Sequence, residues 1–417
     1  MVKLEKGLNS SYEDFNKGHK YIYYAVIFAV TATISDLAQD FLNFNFPLLR
    51  YFLFFLAEFF LISGIINTFN YKFGNLINIV VLILCLTIIV SLFKGLPKIR
   101  SEYQNYLFLK KLISGELFVL SIPFLIFSNP NLVLYKKLFK FFYNLTLWGI
   151  LIVPLVNIIF TKNPFYGVEL LSRIFTSSGS VILLTSTYHR KKTTNLIYLS
   201  IMIALIFLVF FARRNMILYL SSVIFIGIYI NLIFKENNIL VASLLFILFI
   251  FVISYILYLF QDYFPLVIDR FSTGFDSRQN VVDEFFSDFN KTPLDWVYGR
   301  GLFSEYSSES TSMFLNKKSR DGIENGYLNH ILIGGWLYLG SLIILSLRAI
   351  YLGFFMSKNI LSKAFAAIIL IYFVDMVGFG LPAPNIKYIL IFISISACYS
   401  NWLRGLPDDI IKSIIKL

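Results

Sequence analysis

The residues of this chain best suited to chemistry are arginines and one carboxylate, and they fall in three stretches. The first is Phe210-Phe211-Ala212-Arg213-Arg214-Asn215, set between two long apolar runs with almost no loop to house two charges. The second is the polar segment 261–325, which carries Arg270, Arg278 and Arg300. A guanidinium is permanently charged and grips phosphate oxygens two at a time, so several that converge would clamp a diphosphate. The third is Ile323-Glu324-Asn325-Gly326-Tyr327-Leu328, with His330 close behind. A carboxylate or imidazole there is a candidate general base, able to take a proton from an attacking hydroxyl.

Each stretch also has a plainer reading. Arg213 and Arg214 could snorkel to lipid headgroups. Arg270, Arg278 and Arg300 could pair with Asp269, Asp276, Asp283 and Asp295 on a solvated surface. Glu324 could be an acid favoured by the helix dipole, and His330 could be a packing residue one to two turns into an apolar run. The other charges inside apolar runs, Asp36, Glu58, Glu116, Arg173 and Asp375, could pair across helices or face a cavity, but they are too sparse to define a proton relay. Asp375 stands out because Gly378-Phe379-Gly380-Leu381-Pro382-Ala383-Pro384 follows it and should break the helix.

The elements that must position these residues are helices in lipid. With 58% hydrophobic and 14% charged residues in 417, and a mean hydropathy of +0.73, the composition does not suit a water-soluble surface. Apolar runs fall near 21–39, 48–67, 75–93, 112–127, 141–160, 170–188, 194–211, 216–234, 239–260, 326–346, 363–380 and 387–403. Each approaches the roughly 20 residues a helix needs to cross the hydrocarbon core. The expected fold is therefore an all-α integral membrane protein of about twelve transmembrane helices with one large, partly helical external loop. Its organisation is 1–260 (nine spans), 261–325 (the external, site-forming loop) and 326–417 (three spans and a cytoplasmic tail). Cys85 and Cys398 lie in separate apolar runs and suggest neither a disulfide framework nor a metal site. The first apolar run lacks a small-residue cleavage site, so no cleaved signal peptide is expected.

Basic residues are retained on the cytoplasmic side, which sets the orientation. Lys3, Lys6, Lys17 and Lys20 precede the first run, while residues 40–47 carry no Lys or Arg. The same choice makes Lys136, Lys137, Lys140, the His189-Arg190-Lys191-Lys192 stretch, Arg348, Lys358 and Lys363 cytoplasmic, with both termini inside and the 261–325 loop outside. Arg213 and Arg214 then stand on the disfavoured outer side, with the large loop, which favours a functional role. One loop disagrees: residues 94–111, with Lys94, Lys98, Arg100, Lys110 and Lys111, fall outside as well. Either the fourth span is misplaced, or these cations hold an anionic headgroup there. The net charge of +12 divides unevenly, since 261–325 holds seven Lys/Arg against eleven Asp/Glu, a net of −4, leaving +16 for the rest. The positive charge is thus mostly a topology signal, and no nucleic-acid partner is expected.

Sixty-odd residues are too many for a passive connector. Asp276-Ser277-Arg278-Gln279 has capping-box spacing and Val281, Val282, Phe285, Phe286 and Phe289 follow at helical intervals, so 277–290 should be an amphipathic helix on the membrane or the bundle. Pro293 should end it. Trp296 with Gly299-Arg300-Gly301 predicts a tight turn whose backbone can approach a ligand closely. Tyr298, Phe303, Tyr306 and Trp296 could stack on sugar faces, or simply sit at a membrane interface.

In this order the three stretches resemble the O-antigen polymerase (Wzy) and O-antigen ligase superfamily, over residues from about 200 to 345. The Ala-Arg-Arg-Asn stretch is similar to the family's small-residue-Arg motif, with either Arg213 or Arg214 as the equivalent. SRQNVVDEFF, PLDWVYGRG and ENGYLNHILIGGWLYLG fill the places of an Arg-bearing loop helix, a Pro…Gly-x-Gly segment and a His-Asn-x-Tyr-Leu-like motif. Glu324 stands where the family has histidine, which leans toward the polymerase branch.

The resemblance implies a multi-pass protein of the bacterial inner membrane with its site on the outer face. The implied activity is a glycosyltransferase, a repeat-unit polymerase moving a glycan from a polyprenyl-diphosphate donor to a sugar hydroxyl of a lipid-linked acceptor. It implies no cofactor; no DxD-like metal motif stands out, so arginines would stabilise the leaving diphosphate. The implied base is Glu324, with His330 second. Arg213 or Arg214, Arg270, Arg278, Arg300, Asn325 and Tyr327 would bind substrate. Implied partners are the lipid-linked oligosaccharide, the bilayer and a chain-length regulator protein. The rivals are a ligase transferring finished polymer to a lipid core or protein and, in another class, a polysaccharide-lipid flippase or transporter, for which internal repeats would be expected and none is found. A non-catalytic scaffold is the last.

Overall fold

The computed structural model describes residues 17–42, 47–71, 73–94, 115–159, 174–210, 214–236, 279–302, 304–308, 319–320, 322–378 and 382–416. These form an all-α bundle with a single two-residue strand pair. In chain order the helices are α1 (Lys17–Leu42), α2 (Pro47–Thr68), α3 (Asn75–Phe93), α4 (Leu117–Ser121, continued by a 3-10 turn, Ile122–Phe127), α5 (Leu132–Ile159), α6 (Thr176–Leu184), α7 (Lys191–Phe210) and α8 (Arg214–Glu236). The polar segment expected to be external contributes α9 (Gln279–Phe289), α10 (Pro293–Tyr298) and the antiparallel pair β1 (Tyr306–Ser307) and β2 (Ser319–Arg320), in register Tyr306 with Arg320. The chain closes with α11 (Gly326–Phe355), α12 (Ile360–Asp375), α13 (Ile386–Tyr399), α14 (Asn401–Gly405) and α15 (Asp408–Ile415).

The apolar runs mark these helices well where both can be compared. The run 75–93 coincides with α3, whereas α5 starts nine residues before its run and so takes Lys136, Lys137 and Lys140 into its first turns. The expected ninth span, 239–260, lies outside the described residues. Asn325, Asn359 and Asn385 cap α11, α12 and α13, each side-chain oxygen accepting from the amide three residues on. Such caps contribute about 1 kcal/mol apiece.

Among the described residues two helices, Leu48–Thr68 and Gly326–Phe355, are long and apolar enough to cross a membrane. Their surroundings suit lipid better than water. Along α2, Leu48, Phe52, Phe55, Phe59, Ile62 and Ile66 recur at steps of three and four and are all exposed, while Phe54, Ala57, Leu61 and Ile65 are buried on the other side. Helix α3 likewise exposes Ile79, Leu82, Leu86 and Phe93. Contiguous apolar surface of this extent marks a face that water does not cover.

Contacts sort the helix ends into two groups. At the basic end, His19 Nε2 lies 3.0 Å from the Asn129 carbonyl, Ser396 donates to Ser128 O at 2.7 Å, and the Phe73 and Tyr399 rings meet at 4.8 Å. Tyr188 donates to Asp408 while accepting from Leu361 N, and Asn359 Nδ2 donates to Leu403 O and Leu406 O. This end gathers Lys17, Lys20, Lys136, Lys191, Lys358 and Lys363. The opposite end receives the starts of α8, α11 and α13, the ends of α3 and α12, and the external segment.

Candidate functional site

The start of α11 is fixed from three sides. Asn325 Oδ1 accepts from Leu328 N at 3.1 Å, Gly326 N donates to Met376 O at 2.7 Å, and the Tyr327 hydroxyl donates to Phe373 O at 2.7 Å. Gly326 and Tyr327 therefore hold α11 to the end of α12, while Asn325 caps α11 itself. Glu324 precedes the cap and is exposed at the rim of the bundle.

His330 is placed otherwise. It is fully buried, its Nδ1 lies 2.7 Å from the Gly326 carbonyl, and its Nε2 is 3.5 Å from the Tyr372 hydroxyl. The carbonyl is only an acceptor, so the geometry assigns the ring proton to Nδ1. Tyr338 and Tyr388 pack against the ring at 5.4 and 6.2 Å and bond each other through their hydroxyls at 2.7 Å. This is the environment of a packing histidine, one turn beneath Glu324 and out of reach of a bulky substrate.

The external segment locks into α11 through backbone. At Gly335 the helix is broken (φ 67°, ψ −167°), which releases the carbonyls of Leu332 and Ile333. They accept from Arg300 N at 2.8 Å and Gly301 N at 2.9 Å, and Ser91 Oγ donates to Ile333 O at 3.1 Å. The contact demands glycine. A Cβ on Gly335 would stand 2.2 Å from the Val297 carbonyl oxygen, and one on Gly299, itself at φ 64°, 2.5 Å from Gly334 N. The close approach expected between the Gly299-Arg300-Gly301 turn and a ligand is thus made to the α11 backbone instead. Pro293, expected only to end α9, opens α10, where its missing N–H costs nothing.

Arg300 is committed to this unit. Its Nε donates to Asp295 Oδ2 (2.7 Å), Nη1 to Asp288 Oδ2 (2.5 Å) and Glu305 O (3.0 Å), and Nη2 to Asp288 O (3.2 Å) and Thr292 Oγ1 (3.3 Å), while its plane covers the Phe289 ring at 4.5 Å. Five N–H groups and five protein acceptors leave none for a phosphate. Burial disfavours the charge on both partners, but the ion pairing outweighs it: Arg300 is raised above its ordinary value, and the Asp288 carboxyl is held below the usual carboxylate range by Arg300 and Ser307. Adjoining this cluster, Phe285, Phe289, Trp296 and Tyr306 form a small aromatic core, with Phe285 and Phe289 stacked at 4.2 Å. Trp296 and Tyr306 serve that core, whereas Tyr298 remains exposed.

Lys94 joins the same end. Its Nζ donates to Gly299 O at 2.6 Å and sits 5.7 Å from the Tyr298 ring centre. The first cation of the basic 94–111 stretch thus lies with the 279–308 unit; the residues after it lie outside the described ones.

A buried ion pair completes the site. Lys387 Nζ, at the start of α13, donates to Asp375 Oδ2 at 2.8 Å, with side-chain exposures of 4% and 1%. The ammonium lies 4.0 Å over the Tyr219 ring and 3.8 Å from Met216 Sδ. Met216 is two residues along α8 from Arg214, which opens that helix. Arg213, Arg270 and Arg278 lie outside the described residues. Lys387 and Asp288 escaped sequence reasoning. A lysine opening an apolar run three residues after Pro384 looks like a boundary residue, and Asp288 was one of eleven acids in its segment.

Among the described residues no group of three or more His, Cys, Asp or Glu could hold a metal ion. No family model, no curated protein and no solved structure matches the chain.

Proposed function

We propose that the chain is a polytopic membrane glycosyltransferase, a repeat-unit polymerase working from a polyprenyl-diphosphate donor, which crosses a bacterial inner membrane about twelve times with its basic end cytoplasmic. The observation that carries this reading is convergence. Three stretches separated by up to 110 residues, the Arg214 helix start, the Gly-Arg-Gly turn and Glu324 before α11, meet at one end of the bundle. Met216 to Lys387, Asp375 beside Met376, and Met376 O to Gly326 N form the chain of contacts between them. Such a site has Arg214 at a helix start as a cation for a leaving diphosphate and an exposed carboxylate for the attacking hydroxyl.

In this mechanism Glu324 takes the proton of the acceptor hydroxyl as its oxygen bonds to the anomeric carbon of the donor. The bond from that carbon to the diphosphate oxygen breaks, and polyprenyl diphosphate leaves with the electron pair. Arg213, Arg214, Arg270 and Arg278 are the candidates for stabilising that charge. Arg300 positions the external unit, and His330 supports Tyr372 and the start of α11.

The test is to incubate the purified protein in lipid with native polyprenyl-diphosphate repeat units and resolve the glycans on a gel. A ladder that disappears in Glu324→Gln is the expected result; no elongation from units confirmed intact refutes it. One observation favours a second reading, a transporter of lipid-linked glycans: a buried ion pair beside a broken helix is also how such proteins hold substrate. Translocation in vesicles that survives Glu324→Gln, with no ladder, would select it.

A further inference from the structure

Helix α10 turns an apolar face outward. Asp295 and Trp296 point into the unit, to Arg300 and to the aromatic core. Leu294, Val297 and Tyr298, spaced i, i+3 and i+4, form one exposed face, and Leu294 is 71% exposed. Helix α9, expected to lie on the membrane or the bundle, instead buries Phe285 and Phe289 in the core of its own unit.

Two stripes of exposed apolar residues end at the α10 face. On α11 the stripe runs from Phe355 through Tyr351, Leu347 and Ile344 to Trp336, the residue after the helix break, and Gly335 itself lies against the Val297 carbonyl. On α3 the stripe ends at Phe93. Lys94 follows, its Nζ bonded to Gly299 O and 5.7 Å from the Tyr298 ring centre. At about 1.5 Å of rise per residue, Trp336 to Phe355 covers about 28 Å, close to the roughly 30 Å of a hydrocarbon core. Trp336 and α10 therefore stand at the level of the headgroups, where Trp and Tyr rings gather and lysines reach for phosphates.

We infer that α10 is an interfacial anchor whose partner is the bilayer surface: Leu294, Val297 and Tyr298 lie at the boundary between headgroups and acyl chains, beside Trp336, with Lys94 at the headgroup phosphates. What selects lipid as the occupant is continuity, since the face prolongs the lipid-facing stripes of α3 and α11 without a polar gap. The inference rests on the bundle's spanning a membrane and not on the transfer chemistry. Because the same unit is bonded through Arg300 N and Gly301 N to α11, the anchor also fixes the height of the α11 start above the lipid.

The test is the surroundings of spin labels on cysteines introduced one at a time into the full chain, in nanodiscs of phosphatidylcholine and phosphatidylglycerol. Collisions with oxygen, which concentrates in lipid, are compared with collisions with a water-soluble nickel chelate. Labels at Leu294→Cys and Val297→Cys should meet oxygen more than the chelate, as should the reference label at Leu82→Cys on the exposed face of α3. A label at Lys291→Cys, on the exposed turn before α10, should meet the chelate more. In the same nanodiscs Leu294→Asp should speed hydrogen exchange across 293–298 about tenfold or more, the loss expected when a leucine no longer leaves water. On a face that met water, a change at so exposed a residue would leave exchange as it was, and that result overturns the anchor. Labels on α10 that meet the chelate more overturn it too. Labels shielded from both reagents mean that a second copy of the chain covers the face, which also overturns it. Leu82 in lipid with Leu294 in water removes the anchor and leaves the membrane bundle, whereas Leu82 in water refutes both.

Discussion

Two ion pairs at the same end of the bundle are built on different plans. In the external unit, Arg300 meets five acceptors, and Asp288 also accepts from Ser307 N and Ser307 Oγ. In the bundle, Lys387 meets Asp375 through one carboxylate oxygen and leaves the other bare. A saturated charge cluster holds chain segments together and offers nothing to a ligand. An unsaturated one carries an electrostatic cost that the fold alone does not explain. The more conspicuous arginine is therefore the saturated, structural one, and the quieter lysine leaves its partner half satisfied.

The largest effect expected is on the lock between the two regions. Gly335→Val places side-chain atoms within the Val297 carbonyl and forces a β-branched residue to positive φ, costing about 4 kcal/mol or more. The thermal midpoint in detergent should collapse, and a midpoint unchanged from wild type would mean the lock is not made. Next, Lys387→Met alone should cost about 3–5 kcal/mol by stranding a buried carboxylate, whereas Asp375→Leu with Lys387→Met should come within about 1 kcal/mol of wild type, since replacing both partners by apolar residues of similar size is nearly neutral. Equal losses in the two would erase the contrast drawn above. Arg300→Ala should cost about 2–3 kcal/mol, toward the low side because Arg300 and Asp288 keep some contact with water. Hydrogen exchange should rise across 285–302 while the bundle stays protected.

The smallest effect is one of pH. Asp288 has a folded pKa below its unfolded value, so its contribution is fully present above the unfolded value of about 3.9 and is lost as pH falls through the lowered folded value. Exchange at 285–302 should therefore be flat from pH 7 to 5 and rise only in stronger acid. Opening of the unit already at pH 6 would show that another group controls it.

Much of the fold was legible because a helix announces itself over twenty residues. The run 75–93 could be read directly, and the run 326–346 opens where α11 opens. The amphipathic helix expected at 277–290 is described as Gln279–Phe289. What escaped depends on contacts across the chain. Gly334-Gly335 inside an apolar run reads as a flexible pair within one span; only the approach of Val297, 38 residues earlier in sequence, reveals the break. Asp375 drew notice as an intramembrane acid, yet its partner sits beyond a Pro-rich turn, and no periodicity links the two. Arg300 was weighed as clamp or surface pair, and the choice turned on Asp288, whose position in space the sequence does not encode locally.

The main-chain bonds from Arg300 and Gly301 to the carbonyls of Leu332 and Ile333 also have a mechanical consequence. Because backbone holds backbone, the external unit and residues 326–334 cannot slide past one another without losing peptide hydrogen bonds, whatever their side chains. They form one lever with Glu324 riding on it and Gly335 as its fulcrum. Any displacement of the external unit therefore tilts Glu324 with the wall that bears it, and under the proposed function admission of substrate and alignment of the base are a single movement.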